Sequence, residues 1–111
     1  QDDVERMRQA YDARRRVIVD GLRAVGLPTF EPEGAFYCFP DVRSTGLTSE
    51  EFAQRLLREE HVAVVPGDAF GPSGAGYVRC SYATSMEKLQ EAVRRIGRFV
   101  ERVRAARGVE T

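Results

Sequence analysis

One strand-like run, Tyr77-Val78-Arg79-Cys80-Ser81-Tyr82, carries the side chain best suited to gripping a small anion. Alternation along a strand puts Val78, Cys80 and Tyr82 on one face and Arg79 with Ser81 on the other. If the apolar face meets helices, Arg79 points to whatever lies on the far side. A planar guanidinium can hold a carboxylate through two parallel hydrogen bonds. It can equally sit in solvent, and the strand alone leaves both readings open. Just upstream, Gly67, Gly71, Gly74 and Gly76 with Pro66 and Pro72 form a loop that leaves room for a ligand beside the strand.

Other constellations point away from chemistry. The glycine run leads into a strand and offers no helix N-terminus, so it fails the pattern of a phosphate-binding loop. His61 is the only histidine; it follows Glu59 and Glu60 at a helix end and reads as solvent-exposed. No cluster of His, Cys, Asp and Glu has metal-site spacing, so no metal is expected. Ser49, Ser73, Ser81 and Ser85 lack a base, and no nucleophile-elbow pattern is present. Glu50-Glu51 and Glu59-Glu60 read as solvated pairs. The Arg14-Arg15-Arg16 run and the series Arg94, Arg95, Arg98, Arg102 are interspersed with acids, and the formal net charge is zero. They read as solvated helix faces, not as a nucleic-acid surface. Phe36, Tyr37 and Phe39 read as core packing, with room for one of them on the outer sheet face to line a pocket. Cys38 and Cys80 each lie in an apolar run and make no CxxC pair, as expected of buried, reduced thiols in a cytoplasmic protein.

The elements that must position these residues follow from apolar spacing and punctuation. Val4, Met7, Tyr11, Val17, Ile18, Leu22 and Val25 predict a helix over 3–25, with Asp2 as cap and Gly26 and Pro28 ending it. Thr29 and Phe30 predict a short strand, and residues 31–34, with Pro32 and Gly34, a turn. Ala35 to Phe39 predict a second strand, which Pro40 ends or makes an edge. Thr48 with Glu51 forms a capping box, and Leu47 with Phe52 a hydrophobic staple, so a helix runs from there to near Glu60 with Phe52, Leu56 and Leu57 buried. Val62 to Val65 and Tyr77 to Ala83 predict further strands. Thr84 with Glu87 predicts a second capping box, and Met86, Leu89, Val93, Ile96, Val100 and Val103 the apolar stripe of a last helix. The tail from Ala105 is expected to fray.

The order α-β-β-α-β-β-α predicts an α+β fold, a small, mostly antiparallel sheet covered by helices. The 111 residues suit one domain, 1–111, without repeat or linker. Hydrophobic residues are 42% and charged residues 31%, a balance that fits a soluble globular chain. No apolar stretch approaches the roughly 20 residues that cross a bilayer, so no membrane partner is expected. The chain starts at Gln1 and enters a helical pattern almost at once, which reads as a cut within a longer protein.

Three pieces in order carry a family resemblance: Pro32-Glu33-Gly34-Ala35-Phe36-Tyr37-Cys38-Phe39, then Val62-Ala63-Val64-Val65-Pro66-Gly67-Asp68-Ala69-Phe70-Gly71, then Gly76-Tyr77-Val78-Arg79-Cys80-Ser81-Tyr82-Ala83. Together they resemble the C-terminal small domain of class I/II, fold type I aminotransferases, the aspartate aminotransferase superfamily. The resemblance covers nearly the whole chain. It implies that Arg79 binds the substrate α-carboxylate, that Phe36 lies near the substrate, and that Gly34 sits at the pocket's edge. It implies less directly that Pro66, Gly67 and Phe70 border the active-site mouth. The parent would transfer an amino group between an amino acid and a 2-oxo acid using pyridoxal 5'-phosphate, as a homodimer. The family's Schiff-base lysine lies in the large domain. Lys88 is outside any family lysine motif, so no catalytic residue is expected here, and the chain alone is expected to be inactive and to bind no cofactor. The preferred amino donor stays open.

Two readings of another class remain beside this one. The same elements suit a free-standing small-molecule-binding or regulatory module. They also suit an assembly domain whose last helix offers its apolar stripe to a partner.

Overall fold

The first apolar series winds into α1, Asp2–Ala24. The computed structural model describes residues 2–30 and 36–108. Gly26 ends α1 in the left-handed region at φ +88°. The Gly26 N–H donates to the Arg23 carbonyl and the Leu27 N–H to the Leu22 carbonyl, each at 3.0 Å, a Schellman closure. The second half of α1 enters the core, and Tyr11 is half-buried against Phe36. Ile18, Val19 and Leu22 are buried, whereas Val4 and Met7 are 68% and 57% exposed. The helical spacing of those two residues therefore does not translate into burial among the described residues.

β1 (Thr29–Phe30), β2 (Tyr37–Pro40), β3 (Val65–Pro66) and β4 (Val78–Ser81) form one sheet in the order β1-β2-β4-β3. Every pairing is antiparallel. Phe30 faces Phe39 across β1 and β2, Cys38 faces Cys80 across β2 and β4, and Val65 faces Arg79 across β3 and β4. β2 is an inner strand, and Pro40 is its last residue. The strands are shorter than the apolar runs suggest. Residues 62–64 join no ladder, and β3 is confined to Val65–Pro66, paired with Arg79 and Val78 of β4. Tyr77 contributes an isolated bridge to Asp41, and β4 stops at Ser81.

α2 (Ser49–Glu60) starts at the capping box expected of Thr48 and Glu51. Glu51 N–H donates to Thr48 Oγ1 at 3.1 Å, and Thr48 N–H donates to Glu51 Oε1 at 2.9 Å. Its packed face is Phe52, Ala53 and Leu56; Leu57 turns outward, since the helical angle favours Ala53 on that face. His61 closes α2 in the left-handed region and is exposed. α3 (Met86–Ala106) begins one residue later than the Thr84 box implies: Ser85 is the cap, accepting from the Lys88 N–H at 3.2 Å. The helix continues through Ala105 without fraying there.

The three helices lie on one side of the sheet. Cys38, Val78 and Cys80 point into a core shared with Ile18, Leu22, Leu56, Ile96 and Val100. Phe99, outside the stripe read from sequence, is fully buried and meets Phe52 edge-on at 5.2 Å. The stripe of α3 is thus consumed within the chain and is not left for a partner, which removes the observation behind an assembly domain. Cys38 and Cys80 are free and buried. Contact with the Cys38 thiol and burial push the Cys80 thiol well above the ordinary range, so it stays protonated.

Two charged residues hold the helices together. Arg104, almost fully buried, donates to the carbonyls of Val25 (2.6 Å) and Gly26 (3.0 Å) and to Ser44 Oγ (2.7 Å), tying α3 to the end of α1. Glu60 is 5% exposed, contrary to a solvated reading. It accepts from Arg98 (2.6 Å) and Arg102 (3.0 Å), while Arg95 donates to its carbonyl at 3.0 Å. The arginine series of α3 is therefore the clasp that receives the end of α2. The Arg98 hydrogen bond, helped by Arg102, holds the Glu60 carboxyl at about 2, below its ordinary 4.5. A carboxyl depressed on folding adds stability that is complete above its ordinary range and is lost as pH falls through its folded value. Glu60→Gln is expected to cost about 1–2 kcal/mol at neutral pH. Urea unfolding should also show the variant losing less stability than wild type as the pH is lowered from 4.5 towards 2.

Candidate functional site

The strand alternation that buries Cys38 and Cys80 sends Tyr37, Phe39 and Arg79 to the side of the sheet away from the helices. Phe30, opposite Phe39 in register, extends that aromatic face. These residues, with Phe70 and Tyr77, line an open cleft of about 540 Å³. Gly67, Ser73 and Gly74 supply its loop wall.

Among the described residues, Arg79 is the only cationic side chain lining the cleft. Its Cζ lies 4.2 Å from the Tyr37 ring centroid and 4.8 Å from that of Phe70. The other arginines that are at least half-buried spend their donors inside the protein. Arg14 and Arg104 donate to backbone carbonyls, Arg15 to Asp12, Arg55 to Glu59, and Arg95 to Glu91. Among the described residues no carboxylate or carbonyl accepts from Arg79. A half-buried guanidinium with no carboxylate or carbonyl partner keeps its in-plane N–H groups available to an anion.

At the rim, Phe30 and Tyr77 stack at 5.7 Å between centroids. Arg43 lies over Tyr77 at 5.3 Å and donates to Asp41 at 2.6 Å, so its charge is neutralised locally. The Arg43 hydrogen bond holds the Asp41 carboxyl below the usual range.

The loop wall is held by backbone. Gly67 N–H donates to the Tyr77 carbonyl at 2.7 Å, and Tyr77 N–H donates to the Gly74 carbonyl at 3.1 Å. Between them the backbones of Gly67 and Gly74 touch; a Cβ on Gly67 would fall 2.0 Å from the Gly74 oxygen. Ser49, at the start of α2, donates its hydroxyl to Asp68 at 2.5 Å and fixes the turn from the other side. Phe70 is carried by this turn, Gly67–Phe70.

Not every residue expected near a ligand is in the cleft. Gly67 and Phe70 line it; Pro66 pairs with Val78 and leads into the turn. Phe36 does not reach Arg79. It has the same strand parity as Cys38, and its ring packs 4.5 Å from Tyr11 of α1 and 6.5 Å from Tyr82. The aromatic neighbour of Arg79 is Tyr37. Gly34, with the rest of residues 31–35, lies outside the described residues. Alternation puts Tyr37 and Phe39 on one face of their strand and Tyr77 on the face of Arg79; Ser73 and Gly74 carry no sequence signal beyond belonging to the glycine loop.

A family model, aminotransferase class I and II, matches residues 1–96. The putative aminotransferase YugH of Bacillus subtilis is 54% identical over 101 residues, covering 91% of this chain and 26% of that protein. An aspartate aminotransferase of Pyrococcus abyssi is 57% identical over 93 residues, covering 84% of this chain and 24% of that protein. Among solved structures, the aromatic aminotransferase of Pyrococcus horikoshii superposes with a TM-score of 0.86 at 53% identity, covering 91% of this chain and 27% of that one. The chain thus spans about a quarter of the length of the relatives it matches.

The mutual contact of Gly67 and Gly74 makes the loop wall intolerant of a single methyl group. Gly67→Ala is expected to cost about 1–3 kcal/mol in thermal unfolding, because backbone must move to make room. It should also shift the Arg79 Nε–H resonance in NMR spectra as the Phe70 ring leaves the guanidinium. An unshifted resonance would mean that the loop does not set the position of Phe70.

Proposed function

The chain belongs to the class I and II aminotransferases, and we propose that residues 1–111 are the C-terminal small domain of a longer enzyme of that family, with Arg79 as its binding residue for the substrate α-carboxylate. The observation that carries this reading is the half-buried guanidinium that lies between two rings in an aromatic cleft, with no carboxylate partner among the described residues. Amino acids and 2-oxo acids both present a carboxylate beside the reacting carbon, so one arginine serves both directions of amino-group transfer. The aromatic walls thin the water around Arg79 and strengthen its attraction for that carboxylate. Two in-plane hydrogen bonds fix the carboxylate's plane as well as its position, and so fix where the Cα–H bond points. Gly67 and Phe70 border the mouth beside Pro66, and the family resemblance adds Phe36 and Gly34 as residues on the substrate side.

The parent enzyme uses pyridoxal 5'-phosphate in this reading. The one lysine, Lys88, is exposed in the first turn of α3 and lines a separate groove with His61 and Arg95. No lysine or carboxylate lines the Arg79 cleft among the described residues. These residues do not form a cofactor site. The large domain of the same enzyme supplies it, and the parent forms a homodimer. The share of this chain is to bind and orient the substrate.

In the full-length enzyme, Arg79→Ala is expected to lower kcat/KM by about a hundredfold, equivalent to roughly 3 kcal/mol for the loss of a charged two-bond contact. Arg79→Lys should recover part of that, since it restores charge without the fork. An unchanged kcat/KM in Arg79→Ala would remove the proposed role. The 111-residue chain by itself should show no transamination; activity from it would overturn the assignment of the chemistry to another domain.

A further inference from the structure

The reading of Arg79 as carboxylate anchor leaves open what holds a long, flexible side chain in place before substrate arrives. Resting on that reading, we infer that Tyr37 and Phe70 are positioning residues that hold the Arg79 guanidinium by its π faces and leave its hydrogen-bonding edge free. The two rings come from unrelated parts of the fold. Tyr37 is on β2, the strand beside β4, and Phe70 is on the loop turn fastened by the Gly67–Gly74 contact and by Ser49 to Asp68. Both converge on the same carbon, at 4.2 and 4.8 Å.

The chemistry explains why rings suit this task. A guanidinium donates hydrogen bonds only in its plane, whereas aromatic rings attract it through the faces above and below that plane. A carboxylate partner from the protein would fix Arg79 equally well, but it would occupy the donors and cancel the charge that the substrate needs. That is the arrangement at Arg43, whose donors are taken by Asp41. Aromatic contacts orient Arg79 without neutralising it. The Tyr37 hydroxyl has no part in this, so phenylalanine should replace it.

The test uses the full-length enzyme with Tyr37→Leu, Phe70→Leu, Tyr37→Phe and Arg79→Ala. Phenylalanine and aspartate serve as donors with 2-oxoglutarate as acceptor, and calorimetry measures binding of maleate and 3-phenylpropionate. Tyr37 and Phe70 lie outside the helix-covered core, and a thermal melt of each variant checks that the fold is kept. The expected result is a rise of about tenfold in KM for both donors and in Kd for both acids in each leucine variant. The value of kcat should stay within about twofold, because the loss is of uniform binding. Tyr37→Phe should behave as wild type in every measurement. If the leucine variants leave KM and Kd unchanged while Arg79→Ala loses about a hundredfold, the positioning role is wrong and the anchor stands. A change confined to one donor and its matching acid would make the rings a wall for the substrate side chain and overturn the positioning role. A silent Arg79→Ala would bring down the anchor and the positioning role together.

Discussion

The register that sets Cys38 opposite Cys80 governs both sides of this molecule. A strand has only two faces, so placing those thiols in the core sends Tyr37, Phe39 and Arg79 out together. A slip of one residue would drive Arg79 under the helices, where no anion is waiting, and turn the cysteines to water. The core enforces the register from one side, since Cys38, Val78 and Cys80 pack among Ile18, Leu56 and Ile96. The cleft on the other side is a consequence of that packing. The two buried thiols therefore contribute to the site without touching it.

The chain's basic charge is almost all arginine, and the fold uses that residue in two opposite ways. Arg104, Arg95, Arg98 and Arg102 pair with carbonyls and with Glu59 and Glu60, joining α3 to the ends of α1 and α2. Their planar forks reach two acceptors in fixed in-plane directions, which the rotatable ammonium of a lysine does not set. Among the described residues no acid lies on the outer face of β2 and β4, and Arg79 makes no such pair. Its neighbours there are aromatic, and aromatic faces attract a cation without quenching it.

The sequence was most readable where a signal is local. The Thr48–Glu51 box, the Gly26 stop and the alternation through Arg79 each involve a few neighbouring residues, and each appears in the structure. Readings that depended on distant packing were less secure. Glu60 looked solvated because the arginines that bury it are some forty positions away. Phe99 lies off the stripe read along α3 because Phe52 of α2, not the sheet, receives it. Residues 62–64 looked like strand but join no ladder. In the site, Arg79, Gly67 and Phe70 were legible from motifs. Tyr37 was obscured by the more familiar Phe36 beside it, and only strand parity separates the two.

A bare guanidinium in a chain of zero net charge also sets how an anion meets it. The Arg79 charge is felt over roughly one Debye length, about 8 Å at physiological salt. Beyond that distance, acids and bases spread over the helices cancel, and this part of the molecule exerts no long-range pull. On the proposed reading of Arg79, carboxylates would arrive here at the ordinary rate of diffusion, and the cleft would distinguish among them by how long they stay.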